Sequence, residues 1–162
     1  MGINEIIREA DVARMSLYNN FGSKDDLALA AYSALSRERQ AAMDAAIAAA
    51  SGPQAAIICL FDLAENLAAR PGFRGCAFIN LAAQTAGGDE PLLTLVRAHK
   101  TALRERFIGL AARSGAADPA ALGRQLLALW DGAIIAAFLE SDTAPIRAAR
   151  AAAQTLIGEA CP

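Results

Sequence analysis

Apolar residues recur every three or four positions along most of this chain, which is the spacing of helices that bury one face. No stretch shows the sustained alternation of a half-buried strand, and no hairpin turn lies between two β-branched runs. The pattern therefore predicts an all-α fold. Glycine, proline and capping residues divide the chain into eight predicted helices. The first ends at a turn at 10–12, the second covers 13–20, and the third runs from a cap at Ser23 to a break at 51–53. The others cover 53–69, 76–86, 90 to a loop at 115–119, 119 onward, and about 144 onward.

Three of these helix starts carry specific signals. Ser23 is followed by two aspartates, which is the pattern of an N-cap with acidic side chains in the first turn. Pro53 suits the first turn of a helix, and Asp118 can cap the helix that begins at Pro119. The segment 76–86 is apolar on most faces, so we expect a buried helix there, ended by the two glycines at 87–88.

The first residues form a pattern of helix, tight turn and helix. Six apolar residues have the spacing by which three short helices share a core: Ile6, Ile7, Val12, Leu17, Phe21 and Leu27. The turn contains Asp11, a residue type that tolerates a left-handed backbone better than most. The helix 13–20 would then direct five side chains away from that core, namely Arg14, Met15, Ser16, Tyr18 and Asn19. Because two short helices joined by a tight turn can place one of them in the DNA major groove, these five are candidates for groove and phosphate contacts.

Composition limits the partners of the chain. The formal net charge of -2 excludes a uniformly basic surface for nucleic acid, so any DNA contact must come from a local patch. The hydrophobic fraction of 55% and the mean hydropathy of +0.29 are high, and the two closing helices have broad apolar faces. Such faces favour a homodimer in which these helices form an antiparallel four-helix bundle. An alanine-rich core inside one subunit is the alternative.

Other classes of protein are disfavoured. The longest uncharged stretch, 45–61, is broken at 51–53, and the first residues do not resemble a secretory signal, so we expect a cytoplasmic protein without a membrane span. Cys59, Cys76 and Cys161 are an odd number of cysteines at wide spacing, which indicates neither a disulfide framework nor a zinc ribbon. With His99 as the single histidine, we expect no metal site and no cofactor.

The later helices can enclose a mostly apolar pocket with a few polar groups. The candidates for its lining are Phe61, Phe78, Asn80, Phe107 and Trp130. For each of these aromatic residues, packing in an ordinary core is the alternative. His99 lies between Arg97 and Lys100, which predicts a position at the surface or the rim.

A thiol enzyme built on Cys76 and His99 is a further alternative. The sequence shows no residue that would orient His99 as a base, so it gives this alternative little support. A buried small hydrophobe is the ordinary role of a free cysteine such as Cys76. We therefore do not expect an enzyme.

Residues 12–27, VARMSLYNNFGSKDDL, resemble the signature of the TetR family of bacterial transcriptional repressors. Residues 73–80, FRGCAFIN, are similar to a segment in the ligand-binding domain of one branch of that family. The resemblance implies a partial helix-turn-helix DNA-binding head over 1–27 and a helical ligand-binding and dimerisation domain over 28–162. It also implies a further helix before Ile3, which this sequence lacks.

The resemblance implies roles for individual residues of the head. Tyr18 and Lys24 would contact phosphates, and four residues would lie nearest the base edges: Arg14, Met15, Ser16 and Asn19. The expected protein is a repressor that binds a near-palindromic operator on double-stranded DNA as a homodimer. An apolar or amphipathic small-molecule inducer would release it. The alternative is a helical, dimeric small-molecule-binding protein that has lost DNA binding.

Overall fold

The computed structural model describes residues 3–11, 13–85 and 90–161, and in these ranges it contains helices and no strand. The helices are α1 (Ile3–Glu9), α2 (Arg14–Asn20), α3 (Lys24–Ala49), α4 (Pro53–Ala68), α5 (Ala77–Gln84), α6 (Glu90–Arg113), α7 (Pro119–Glu140) and α8 (Ala144–Ala160). The all-α prediction is confirmed.

Local chemistry explains where several of these helices begin. The Ser23 hydroxyl accepts a hydrogen bond from the Asp26 backbone N–H at 3.0 Å, and the Asp118 carboxylate accepts one from Ala121 N–H at 2.9 Å. Each bond satisfies an N–H group that a helix start otherwise leaves without a partner. Asp11 has a φ of 50°, so the turn between α1 and α2 does contain a left-handed residue.

The main core lies between α4, α6, α7, α8 and the C-terminal half of α3. Its fully buried side chains include Ile57, Leu60, Phe61, Leu103, Phe107, Leu122, Leu126 and Ile146. Gly123 allows α6 and α7 to approach closely, because a β-carbon there would lie 2.8 Å from the backbone nitrogen of Ile108. The packing of these helices therefore depends on one residue without a side chain.

A smaller core joins α5 to α6 and to the N-terminal half of α3. It contains Phe78, Leu81, Leu92 and Val96, and Tyr32 of α3 packs against it. The expectation that segment 76–86 is buried on most faces is wrong, because α5 buries only one face and leaves Asn80 exposed. The glycines expected to end this helix lie outside the described residues.

Helix α7 is long and apolar enough, by length and composition, to cross a membrane. In this structure it packs between α6 and α8, and its buried residues belong to the main core. The core helix of a globular protein has the same length and composition, so this pattern does not by itself indicate a membrane span.

Candidate nucleic-acid interface and ligand cavity

Helix α2 is a single short helix with one buried side chain. Leu17 is 7% exposed, and its carbonyl oxygen accepts a hydrogen bond from the Phe21 backbone N–H at 2.9 Å, where the helix ends. Ala13 stands at the N-cap position and supplies no side-chain hydrogen bond, so the helix begins without a polar cap. The burial of Leu17 determines which side of α2 faces outward.

The opposite side of α2 exposes all five residues proposed for it from the sequence. Met15 is 69% exposed and Tyr18 is 43% exposed, and Arg14, Ser16 and Asn19 are also exposed. The guanidinium carbon of Arg14 lies 6.0 Å from the centre of the Tyr18 ring, at the outer limit of a cation–π contact. The face thus combines a cation, hydroxyl groups, an amide and apolar surface.

Lys24 is the first residue of α3 and is exposed. The N-terminus of a helix favours anions, so a lysine beside it can bind a phosphate together with the backbone N–H groups. The neighbouring Asp25 and Asp26 lie in the same turn and partly offset this positive field. Lys24 therefore offers one local phosphate contact beside α2.

A cavity of about 480 Å³ lies between α3, α5, α6, α7 and the loop of residues 70–76. Phe78, Asn80 and Trp130 line it, as do Phe73, Gln84 and His99. Phe61 and Phe107 do not line it. Their ring centres lie 5.8 and 6.0 Å from that of Trp130, and both side chains are fully buried in the main core.

The loop of residues 70–76 forms one wall of this cavity and is held at two points. The Asn80 side-chain amide donates a hydrogen bond to the Arg74 carbonyl oxygen at 2.8 Å. Gly75 has a φ of 76°, and a β-carbon there would lie 3.5 Å from the β-carbon of Phe138 on α7. The FRGCAFIN segment therefore contributes both the wall and the side chain that fixes it.

The expectation that His99 lies at the surface or rim is wrong. Its side chain is buried, because it shares one face of α6 with Val96 and Leu103, three positions before it and four after it. The imidazole stacks on Phe78 with ring centres 3.6 Å apart and an angle of 14° between the planes. The charged residues Arg97 and Lys100 beside it in sequence are on other faces of the helix.

The polar partner of His99 comes from α3. Its Nδ1 lies 2.8 Å from the Ser36 hydroxyl, which also accepts a hydrogen bond from the Gln40 side-chain amide at 3.0 Å. The pKa of His99 is lowered from 6.5 to about 4, mainly by burial and in addition by the positive charges of Lys100, Arg106 and Arg39. The ring is therefore neutral at pH 7.

Two ion pairs connect α6 to its neighbours around this site. Lys100 pairs with Asp131 of α7, and both side chains are largely buried. Arg106 donates two hydrogen bonds to the two carboxylate oxygens of Asp44 on α3, at 2.9 and 3.0 Å. The Arg106 guanidinium lowers the pKa of the Asp44 carboxyl through these hydrogen bonds. The Asp44 pair is forked and therefore fixes the relative position of α3 and α6.

The cysteines are free and half-buried, and Cys76 alone of the three lines the cavity. His99 also lines it, but the hydrogen-bonding partner of its Nδ1 is Ser36 and not the Cys76 thiol. Among the described residues, no group of three or more His, Cys, Asp or Glu side chains could hold a metal ion.

The last two helices expose two complementary kinds of surface. On α7, Ile135, Phe138 and Leu139 are 42%, 42% and 74% exposed, and their spacing places them on one stripe. On α8 the exposed positions with helical spacing are small: Ala148, Ala151, Thr155 and Gly158. Large apolar residues on one helix and small residues on its neighbour suit the close packing of a helical bundle.

Comparison with known proteins identifies a family model that matches the first residues of the chain. Residues 1–31 match the family model described as bacterial regulatory proteins, tetR family. No match is found among functionally curated proteins.

Several solved structures share this fold over nearly their whole length. A TetR-family transcriptional regulator from Streptomyces coelicolor is 30% identical, with a TM-score of 0.94; the alignment covers 100% of this chain and 86% of that one. The regulatory protein TetR from Rhodobacter sphaeroides is 27% identical, with a TM-score of 0.87 and coverage of 96% and 87%. The reduced form of Escherichia coli NemR is 18% identical, with a TM-score of 0.86 and coverage of 96% and 85%, and shows likeness of fold alone.

Proposed function

The chain belongs to the TetR family of transcriptional regulators, and we propose that it acts as a ligand-responsive repressor in the cytoplasm. In this proposal it binds a near-palindromic operator on double-stranded DNA as a homodimer, and a small apolar or amphipathic inducer in the cavity releases it. Regulators of this family are in general not enzymes, and no catalytic step is proposed for Cys76 or His99.

The outward face of α2 is the observation that carries the proposal. The left-handed turn at Asp11 precedes a helix whose exposed side presents polar, cationic and apolar groups together. In the proposed complex this face enters the major groove, with four residues nearest the base edges: Arg14, Met15, Ser16 and Asn19. Tyr18 and Lys24 contact phosphates, which positions the helix without selecting a sequence.

In this proposal, residues 1–27 form the DNA-binding head and residues 28–162 form the ligand-binding and dimerisation domain. The exposed apolar stripe of α7 and the small residues of α8 support a homodimer through these two helices. A two-fold dimer presents two copies of α2, which is why the proposed operator is a near-palindrome.

Helix α3 connects the proposed operator contact to the cavity. Its 26 residues span about 39 Å, with Lys24 at one end and Ser36 and Arg39 about 18 Å and more along it. Ser36 and Arg39 lie against His99 and the cavity wall, so a ligand that moves this wall also moves the helix that carries Lys24. An inducer would act by binding more tightly to the conformation in which the two copies of α2 are wrongly spaced for DNA.

A mobility-shift assay on the DNA upstream of the chain's own gene tests operator binding. We expect the full chain to bind this duplex, and Arg14→Ala to weaken binding by about tenfold or more, since one good base contact contributes roughly 1 to 3 kcal/mol. Tyr18→Ala should weaken binding by a similar factor, because a hydrogen bond to a charged group such as a phosphate contributes roughly 1.5 to 3 kcal/mol. Arg37→Ala is the matched control, because Arg37 is an exposed arginine on α3, outside the proposed DNA-binding residues, that does not line the cavity. Equal binding by wild type and both head variants would overturn the proposal.

A second candidate is a dimeric small-molecule-binding protein that has lost DNA binding. The charge of the head favours it, because residues 3–27 contain five acidic and three basic side chains. The acidic ones are Glu5, Glu9, Asp11, Asp25 and Asp26, and the basic ones are Arg8, Arg14 and Lys24. In that case the dimer and the occupied cavity remain, but no salt-dependent affinity for any duplex is measured.

A further inference from the structure

The cavity has a one-sided distribution of charge. Three arginines and one lysine line it, namely Arg39, Arg70, Arg74 and Lys100, and no aspartate or glutamate does. The chain as a whole has a net charge of -2, so this concentration of positive charge is local. A cavity with such a lining attracts negatively charged ligands and repels cations.

The arginines of the cavity are available to a ligand. Lys100 is paired with Asp131, but within residues 3–11, 13–85 and 90–161 no carboxylate forms an ion pair with Arg39, Arg70 or Arg74. Arg39 is half-buried on α3, while Arg70 and Arg74 are exposed on the loop that forms one wall. An unpaired guanidinium at the edge of an apolar cavity offers a planar fork to a carboxylate or a similar group.

His99 supplies a neutral donor inside the same cavity. Because Gln40 donates to the Ser36 hydroxyl, that hydroxyl can donate to His99 Nδ1, and in this tautomer the ring proton is on Nε2. This Nε2–H has no protein partner among the described residues, and it is not among the buried unpartnered atoms. His99 is only 6% exposed and lines the cavity, so the cavity is the space that its Nε2 can reach. Such a group is aimed at a hydrogen-bond acceptor.

The rest of the lining suits a flat apolar body. Phe73, Phe78 and Trp130 provide aromatic surface, and Leu103 and Ile134 provide aliphatic surface beside it. The volume of about 480 Å³ is in the range of sites for small organic molecules. The polar lining residues come from α3, the loop, α5 and α6, whereas α7 contributes only Trp130 and Ile134. The α7 side of the cavity therefore suits the apolar part of a ligand, and its charged end fits on the other sides.

We propose that the ligand of this cavity is an organic anion with a flat apolar body. The Arg39 guanidinium and the His99 Nε2–H hold its anionic group, and Arg70 and Arg74 at the loop attract it into the cavity. Trp130 and Phe78 contact the apolar body. This inference rests on the proposed function in that it takes the cavity as the inducer site, and it adds the chemical class of the inducer.

The proposal also identifies the contact through which the ligand acts. Arg39 lies on α3, three positions after Ser36, so an anion bound between Arg39 and His99 adds a polar contact between α3 and α6 to the Ser36–His99 hydrogen bond and the Asp44–Arg106 pair. An uncharged apolar ligand of the same size would fill the cavity without making this contact.

A matched pair of fluorescent probes tests the class of ligand in the absence of DNA. The anion 1-anilinonaphthalene-8-sulfonate and the uncharged N-phenyl-1-naphthylamine share the same aromatic body and differ in the sulfonate. We expect the full chain to bind the anion about tenfold or more tightly than the neutral probe, because a charge-assisted hydrogen bond of this kind contributes about one decade of affinity or more. Equal binding, or tighter binding of the neutral probe, overturns the proposal.

Substitutions at Arg39 test whether the chain binds the anionic probe more tightly because of the cavity. Probe binding to the exposed stripe of α7 would not depend on Arg39. Arg39→Gln should reduce the preference for the anion to about threefold or less while leaving the affinity for the neutral probe unchanged, and Arg39→Lys should give an intermediate value. Arg37→Gln removes the same charge two positions away, outside the cavity, and should leave the preference unchanged. An equal effect of Arg37→Gln and Arg39→Gln would contradict the proposal.

This experiment is independent of operator binding. Failure of the mobility-shift assay would count against the repressor and leave the probe preference as measured. Loss of the probe preference would count against an anionic ligand and leave operator binding as measured. The two proposals can therefore fail separately.

Discussion

His99 and Ser36 are joined across the contact between α6 and α3, with 2.8 Å between the imidazole Nδ1 and the hydroxyl oxygen. Both side chains are buried, at 6% and 5% exposed. A buried polar group without a partner is costly, so each of these residues fixes the position of the other. The hydrogen bond therefore connects a cavity-lining residue to the helix that begins beside α2.

The neutral state of His99 predicts a specific pH dependence of stability. Its pKa is lowered from 6.5 to about 4 in the folded chain, so the unfolded chain binds more protons between these values. The contribution of His99 to the free energy of unfolding is complete above pH 6.5 and is lost as the pH falls toward 4, by roughly 3 kcal/mol. The relevant charges nearby are Lys100, Arg106 and Arg39, all positive.

Urea unfolding of wild type and His99→Gln at several pH values between 4 and 7.5 measures this contribution. Other groups titrate in both proteins, so the difference between the two curves isolates the histidine. We expect the difference in free energy of unfolding between wild type and His99→Gln to be constant above about pH 7. As the pH falls, the wild type should lose more stability than the variant. A difference that stays constant down to pH 4 would show that His99 is solvated and titrates normally.

Gly123→Ala should destabilise the chain by about 1 to 3 kcal/mol or more. A β-carbon at this position would lie 2.8 Å from the backbone nitrogen of Ile108, so α6 and α7 would have to separate. Gly109→Ala is the matched control, because Gly109 is an exposed position inside α6 with nothing within 4 Å of a β-carbon. There alanine should stabilise the helix by up to about 1 kcal/mol.

Thermal or urea unfolding measures the stability of Gly123→Ala and Gly109→Ala relative to wild type. Opposite signs of the two changes in free energy are expected. If Gly123→Ala is as stable as Gly109→Ala, the close approach of α6 and α7 is not present in solution.

Leu139→Lys should convert the proposed homodimer to a monomer. Leu139 is 74% exposed in the single subunit, and a lysine on a surface that becomes buried on association has to lose its hydration. Thr101→Lys, which introduces the same charge at an exposed position of α6, is the control and should leave the assembly unchanged. Sedimentation equilibrium measures the molar mass of each protein, and a dimer retained by Leu139→Lys would exclude this stripe as the joint.

The sequence was sufficient for the helices because their ends depend on local chemistry. Ser23 and Asp118 cap helices through hydrogen bonds made within three residues, and Asp11 provides the left-handed turn by its own conformational preference. Such features do not depend on the rest of the fold. The outward face of α2 could be predicted for the same reason, since the burial of Leu17 defines it.

The cavity could be predicted only in part, because its walls come from residues far apart in sequence. Phe61 and Trp130 are both buried in the main core, yet only Trp130 also lines the cavity. The basic side chain of Arg39 could not be placed there from its neighbours. The burial of His99, in contrast, could be predicted from the sequence. His99 falls on the same helical face as Val96 and Leu103, and this periodicity is a stronger indication of burial than the charged residues beside it are of exposure.

The proposed repressor requires coupling between the cavity and the DNA-binding face of α2, and one titration tests this coupling. The affinity of the full chain for the duplex upstream of its gene is measured by fluorescence anisotropy, with and without a saturating concentration of 1-anilinonaphthalene-8-sulfonate. We expect the anion to weaken DNA binding by about fivefold or more, and the duplex to weaken anion binding by the same factor, because coupling between two sites is reciprocal. An affinity for the duplex that does not change while the cavity is occupied would overturn the proposed coupling.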